Sequence, residues 1–346
     1  MGGFASERRV VAVLKGGTTG EREVSLETGR ALAGAAERLG HAVRVVEIRA
    51  GEANSRAAWQ LEGWSGGPAA ALAGPLADVD VFFLGLHGGF GEGGPLQGLL
   101  ASEGRRFTGS GLAASSLCLD KTLALVLAEA SGLRTAERLV APMGRPRAEV
   151  VREALELGGR HAGVVVKPRR GGSSVATMVL ADGALTADAV DHALRAVEAD
   201  GDEPMVEARI QGVEVTAGFV ELNGQVCALP LVEIRPKAGR FFDYEEKYSA
   251  GGALELCPAE SLSPDLAQRV QDLGRTIFMA AGCSGYGRVD FIVPPKGAPV
   301  FLEVNTLPGM TPRSLFPQAA EVFGLDFDAL AAALLDHAWR AGGERT

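Results

Sequence analysis

Strands and helices alternate at the start of this 346-residue chain, several strands end on glycine-rich turns, and longer strands beside amphipathic helices follow. These three observations predict an α/β protein, with a parallel sheet first and mixed α+β lobes after it. The length exceeds what one core usually serves, so two or three lobes are expected.

Arg9–Leu14 reads as a short apolar strand, closed by the turn Lys15-Gly-Gly-Thr-Thr-Gly20. Glu23–Leu39 follows as a helix, with Val24, Leu26, Ala31, Leu32, Ala35 and Leu39 near one stripe and Gly40 as its stop. Val43–Ile48 and Val79–Leu86 supply two more strands, so ligand-facing loops are expected at strand C-termini. Between them, Gly51–Pro75 is weakly patterned and reads as an insertion carrying a short helix at most. Gly109-Ser-Gly111 reads as a boundary between lobes.

Next come a helix Asp120–Ser131, a short strand, a helix Arg147–Leu157 and a strand Gly163–Pro168. The run Arg169–Ser174 and a strand Val175–Leu180 suggest a flap with a glycine-rich tip. A helix Ala187–Glu198 and a strand Pro204–Ala208 complete this lobe. Beyond it, Glu214–Leu222 and Gln225–Glu233 read as long strands, and Ile234–Gly252 as a loop. A helix Asp265–Ala281, strands Gly287–Val293 and Val300–Asn305, and C-terminal helices end the pattern.

Hydrophobic residues at 47% and charged residues at 22% are the proportions of an ordered globular protein. The net charge of −9, without a basic patch larger than pairs such as Arg169-Arg170, argues against nucleic-acid binding. Cys118, Cys227, Cys257 and Cys283 form no Cys-x-x-Cys pair, which argues against structural zinc and a disulfide framework. A reducing cytoplasm is the expected compartment. No apolar run approaches the roughly 20 residues of a membrane span.

The segments Gly287-Arg-Val-Asp-Phe291 and Phe301-Leu-Glu-Val-Asn305 carry polar residues two apart. On strands, such residues share a face, with Val289, Phe291, Leu302 and Val304 expected on the other. If the strands pair, Asp290, Glu303 and Asn305 converge beside Arg288. Three hard oxygen ligands suit Mg²⁺ on nucleotide phosphates, although a solvated outer face would show the same pattern. Lys167 closes a buried strand before the Gly/Ser loop that holds Ser173 and Ser174. Such a loop wraps phosphate oxygens, or is simply a hairpin tip. Glu207 and Glu214 could accept an amine and ribose hydroxyls. His87 stands at a strand end among glycines, whereas His41, His161, His192 and His337 are expected at the surface. Ser173 lacks the elbow of a hydrolase nucleophile.

Together these segments resemble the D-alanine–D-alanine ligases of the ATP-grasp superfamily, from about Val10 to about Leu335. The carrying motifs are Gly-Gly-Thr-Thr-Gly-Glu21-Arg-Glu-Val-Ser25, His87-Gly-Gly-Phe-Gly-Glu, Leu96-Gln-Gly98, Thr108-Gly-Ser-Gly111 and Asp120-Lys121. Further on come Lys167-Pro with Gly-Gly-Ser-Ser174, Asp243-Tyr-Glu-Glu-Lys-Tyr248, Gly287-Arg-Val-Asp290, Glu303-Val-Asn-Thr-Leu-Pro-Gly-Met-Thr311 and Ser314-Leu315.

The resemblance implies a Rossmann-like parallel α/β lobe over 1–110, a central lobe with the flap over 111–211, and a C-terminal lobe over 212–346. The last two sandwich ATP in this fold. It implies that Glu21 holds the amino group of the first D-alanine and that Lys121, Lys167 and Lys247 contact phosphates, with Ser174 in the flap. Glu207 would meet the adenine amine, with backbone groups of Ala208 and Ile210 on the ring, and Glu214 the ribose. Asp290, Glu303 and Asn305 would hold two Mg²⁺ (or Mn²⁺) ions. Arg288 and the Gly309 N–H would stabilise the oxyanion. Ser314 and the Leu315 N–H would clamp the second D-alanine's carboxylate, with His87 also at the substrate. Glu21, Ser173 and Tyr248 would tie the loop Asp243–Gly252 over the site.

Depsipeptide-forming relatives typically have histidine at the Tyr248 position, so tyrosine here favours D-alanine. The family also suggests a homodimer. Three positions depart from its pattern: Gly171 where a glutamate is frequent, the turn Gly91-Glu-Gly-Gly-Pro95, and Arg134 where proline is common. None is a metal or oxyanion position. A regulator that binds nucleotide without catalysis is disfavoured by Lys121, Lys167, Arg288, Asp290, Glu303 and Asn305 occurring together.

Overall fold

The structure is a computed structural model that describes residues 7–49, 58–141, 144–172, 176–235 and 253–341. Strand β1 (Val10–Gly16) is apolar on both faces, as a strand covered by helices must be. It pairs in parallel with β2 (Ala42–Arg49) and β5 (Val81–Leu84). Helix α1 (Arg22–Arg38) makes the crossover between β1 and β2 and buries Leu32, Ala33, Ala35 and Ala36.

The insertion corrects the sequence reading. Two short strands, β3 (Ala58–Leu61) and β4 (Trp64–Gly66), form an antiparallel hairpin that extends the sheet in the order β4-β3-β2-β1-β5. A helix α2 (Pro68–Ala73) follows. The signal was only four and three residues long, yet Trp59 is fully buried by it. Two short helices, α3 (Gly89–Glu92) and α4 (Pro95–Ser102), follow β5.

Helices α5 (Leu112–Leu119) and α6 (Lys121–Ala130) lead into the second sheet. Its strands β6 (Arg138–Val140), β7 (Val164–Pro168), β8 (Met178–Leu180) and β9 (Pro204–Ala208) run antiparallel in the order β6-β9-β7-β8. Helices α7 (Arg147–Arg160) and α8 (Ala187–Ala199) form a core with this sheet through Ala154, Leu157, Val190, Leu194 and Val206.

The third sheet is antiparallel, in the order β13-β12-β10-β14-β15. Its long strand is β10 (Val213–Leu222). The expected strand Gln225–Glu233 is in fact two, β11 (Gln225–Ala228) and β12 (Val232–Arg235), which pair with successive stretches of the same β10 edge. Pro230 lies in the break, where a residue without an N–H cannot continue a ladder. Strand β13 (Leu254–Leu256) closes one edge, and β14 (Tyr286–Val293) and β15 (Val300–Asn305) the other. Helix α9 (Pro264–Ala280), together with α6, packs on the apolar face through Ile277, Phe278 and Leu125. Helices α10 (Leu315–Phe323) and α11 (Phe327–Ala341) turn back and share a core with the first sheet. A bidentate Arg38–Asp328 pair at 2.6 and 2.8 Å joins α1 to α11.

Two histidines expected at the surface are not there. His41 is 8% exposed, and its Nδ1 accepts from the Arg9 N–H at 3.4 Å. His337 is half-buried, 3.0 Å from Glu221. Among the described residues, no helix is long and apolar enough to cross a membrane.

Candidate active site

The site is built on the polar face of β14 and β15. Their register sets Asp290 opposite Glu303 and Arg288 opposite Asn305, so the four expected side chains share one face. Alternation breaks once: the register shifts between Asp290 and Phe291, which pairs with Phe301. Phe301 therefore turns into the core against Phe291, with ring centroids 6.0 Å apart, while Leu302 stays half-exposed. The expectation that Leu302 would share the apolar face is corrected by this bulge. Glu303 keeps the polar face because of it.

Neighbouring elements hold these groups. Thr216 on β10 donates to Asp290 Oδ1 at 2.5 Å, and Arg288 lies 3.6 Å from Asp290 Oδ2. The Leu307 N–H donates to Asn305 Oδ1 at 3.1 Å, which aims the amide. Lys121 reaches across from the first position of α6, with Nζ 3.2 Å from Glu303 and 2.5 Å from the Gly171 carbonyl. Burial opposes its charge, but the carboxylates around it, Glu303 first and then Glu92 and Glu207, together raise its pKa. Asp120 caps that helix by accepting from the N–H groups of Thr122 and Leu123. A bidentate pair with Arg169, at 2.9 and 2.7 Å, ties the same carboxylate to the base of the flap.

Lys167 and Glu207 lie on adjacent strands and pair with each other at 2.6 Å. Resemblance assigns them to different parts of the nucleotide, and the structure brings them together. Glu207 is buried, and its Oε1 has no hydrogen-bond partner among the described residues. A buried carboxylate oxygen left this way is an acceptor for an amine such as the adenine 6-amino group. The Ala208 N–H is used by the Glu137 carbonyl at 2.8 Å, and Ile210 follows half-buried. Glu214 pairs in register with Ile292 and so lies on the same face as Asp290.

The first sheet contributes from its strand ends. Ser25 Oγ accepts from the Gly16 N–H at 2.8 Å and donates to the Gly85 carbonyl at 2.6 Å, drawing the β1 and β5 ends together. Glu21 lies between the β5 turn and the flap. A Cβ on either Gly88 or Gly172 would stand 2.6 Å from Glu21 Oε2, so glycine at both permits the approach. His87 donates from Nδ1 to the Leu307 carbonyl at 3.0 Å, leaving Nε2 to accept from Thr28 Oγ1 at 3.2 Å. Burial holds its pKa down at about 4, so the ring is neutral.

Ser314 precedes α10 and lies against Gly309, with its Oγ 2.9 Å from Thr311 Oγ1. Its hydroxyl caps none of the helix N–H groups, and Leu315 is the buried first residue of the helix. Ser173, Ser174, Lys247 and Tyr248 lie outside the described residues, as does the whole of the segment Asp243–Gly252.

Two carboxylates were not singled out from sequence. Glu92 is buried and accepts from the Gly88 N–H at 2.9 Å; burial raises its pKa, with Glu303 adding to the effect. Its signal was the glutamate that closes the His87 motif. Glu255 on β13 faces the same side as Glu214 and Asp290 and accepts from Gln318 Nε2 at 2.7 Å. Burial raises its pKa too, against the opposing effects of Gln318 and Arg288.

No group of three or more histidine, cysteine or carboxylate side chains is arranged to hold a metal among the described residues. The set at hand is two carboxylates and an amide, which fits a hard cation that completes its shell with phosphate oxygens and water.

Known proteins resemble this chain in both sequence and fold. The family "D-ala D-ala ligase N-terminus" matches residues 10–110, and "D-ala D-ala ligase C-terminus" matches residues 149–336. The sequence is 41% identical over 330 residues to a D-alanine–D-alanine ligase of Anaeromyxobacter sp. (strain Fw109-5), covering 95% of this chain and 96% of that one. A solved D-alanine–D-alanine ligase from Bacillus anthracis complexed with ATP superposes with a TM-score of 0.75 at 26% identity, over 98% of this chain and 100% of that one. The D-Ala:D-Ser ligase VanG from Enterococcus faecalis gives a TM-score of 0.75 at 27% identity, over 96% and 100% of the two chains.

Proposed function

This chain belongs to the D-alanine–D-alanine ligase family, and from that premise we propose how its residues carry out the family's reaction. The protein joins two D-alanine molecules with ATP through an acyl phosphate, releasing ADP and phosphate and supplying a dipeptide for cell-wall precursors. The observation that carries the assignment of roles is the β14–β15 register, which lines up Arg288, Asp290, Glu303 and Asn305 on one face below Lys121.

A carboxylate is a poor acyl donor until it is phosphorylated. That step calls for positioned charge rather than covalent help. Lys121 and Lys167 place buried positive charge near the transferring phosphate, with Lys247 and Ser174 completing the set. Glu207 takes the adenine amine on its unpartnered oxygen, the backbone of Ala208 and Ile210 flanks the ring, and Glu214 takes the ribose. Asp290, Glu303 and Asn305 would hold two Mg²⁺ or Mn²⁺ ions, whose charge offsets that of the phosphates. Glu21 holds the first D-alanine's ammonium. Arg288 and the Gly309 N–H face the developing oxyanion. Ser314 and the Leu315 N–H take the second carboxylate at the start of α10, beside His87. By the family pattern, Ser173 and Tyr248 would complete the set with Glu21.

We read the lobes as 1–110, 111–211 and 212–346, and the working protein as a cytoplasmic homodimer. Incubating the protein with Mg-ATP and competing D- and L-amino and hydroxy acids tests the reading. Mass spectrometry should find D-alanyl-D-alanine formed in step with ADP. ATP consumption without any dipeptide would refute it.

A further inference from the structure

We propose that Glu255 is a positioning residue for the acceptor subsite, acting through Gln318 on the start of helix α10. The inference rests on the reading that Ser314 and Leu315 clamp the second amino acid. Glu255 sits on the edge strand β13, whose register with β12 and β10 puts it on the face that carries Arg288 and Asp290. It is half-buried and close enough to Arg288 to feel its charge. Its Oε2 accepts from Gln318 Nε2 at 2.7 Å, and that same amide donates to the Arg313 carbonyl at 2.6 Å.

Gln318 thus folds back along its own helix, and its N–H bonds to the Ser314 carbonyl at 3.1 Å. The Gln318 side-chain amide therefore joins the edge strand to the residue before Ser314, while its backbone N–H belongs to the first turn of α10. Ser314 Oγ is engaged with Thr311, not with the helix N–H groups, so the hydroxyl does not brace the helix start. An ionised acceptor on an amide donor is the stronger kind of hydrogen bond.

The experiment measures dipeptide formation by Glu255→Ala, Glu255→Gln, Gln318→Ala and the double alanine variant. Turnover is followed over D-alanine concentration, fitted to two sequential subsites, and separately over ATP. Glu255→Ala should raise the acceptor KM about tenfold, the scale of one charge-assisted hydrogen bond. The donor and ATP KM values should stay within twofold. Glu255→Gln keeps an oxygen acceptor for Gln318 and should recover most of the loss. Gln318→Ala should match Glu255→Ala, and the double variant should add nothing further.

An unchanged acceptor KM in both alanine variants overturns the proposal. So does an equal rise in all three KM values, or additive losses in the double variant. Thermal unfolding of each variant separates misfolding from misplacement, and Gln318→Ala tests the idea independently if Glu255→Ala unfolds. Native protein that makes no dipeptide would instead count against the proposed function, leaving the two failures distinct.

Discussion

At the scale of single residues, the site proposed above would work by placing charge where phosphate and oxyanion charge develop. Arg288 and Glu303 test this in different ways. Arg288→Lys keeps the positive charge and loses the planar fork. Turnover should fall about 100-fold, as for loss of an oxyanion donor, while ATP affinity stays nearly unchanged. A pure loss of ATP binding with normal turnover at saturation would move Arg288 from chemistry to docking. Glu303→Gln keeps the shape and removes the charge that opposes Lys121 at 3.2 Å. Folding should survive, and most ligase activity should be lost even at high Mg²⁺. Near-normal turnover at ordinary Mg²⁺ would sink the metal assignment.

At the scale of elements, the β1–α1 unit shows how closely a helix must approach a strand to bring Glu21 to the site. Gly29 on α1 lies directly over Lys15: a Cβ there would stand 2.4 Å from Lys15 Cβ. Gly34, one turn and a little more along the same helix, would meet only the far end of Arg38 at 3.2 Å. The two substitutions by alanine should therefore differ in their effect on stability. Gly29→Ala should destabilise by about 1–3 kcal/mol, because β1 or α1 must shift. Gly34→Ala should be neutral or stabilise by up to about 1 kcal/mol through helix propensity. Denaturant melts of both variants decide it; equal effects would mean that the close packing at Gly29 relaxes without cost.

At the scale of the whole molecule, the first sheet is tied to the C-terminal part of the chain through His87. The ring bridges Thr28 on α1 and the Leu307 carbonyl after β15, so it is held neutral between distant segments. Its pKa falls from 6.5 to about 4, chiefly through burial. Below pH 6.5 the unfolded chain takes up a proton that the folded ring accepts only near pH 4. Stability is therefore complete above pH 6.5 and falls as pH drops toward 4. At about pH 5 the loss from this group is about 2 kcal/mol. His87→Gln should be less stable at neutral pH, yet lose about 2 kcal/mol less than the native protein between about pH 7 and pH 5. Parallel slopes for the two proteins in urea titrations would show that His87 is not the acid-sensitive group.

Sequence alone determined which residues could do chemistry and most of the elements that carry them. Pro204–Ala208 and Val300–Asn305 have the bounds read from their pattern, and the two-residue spacing of Arg288, Asp290, Glu303 and Asn305 already implied a shared face. Local patterns are legible because side-chain direction follows backbone period within one element. Tertiary structure alone decided what depends on pairing between elements. The hairpin at Ala58–Gly66 exists because it adds to an existing sheet edge and buries Trp59. The bulge that turns Phe301 inward needs β14 as its template. The Lys167–Glu207 pair, and Glu255 on the face of Arg288 and Asp290, join residues whose separation in sequence says nothing about their distance in space. Those contacts come from strand order, which no short-range pattern encodes.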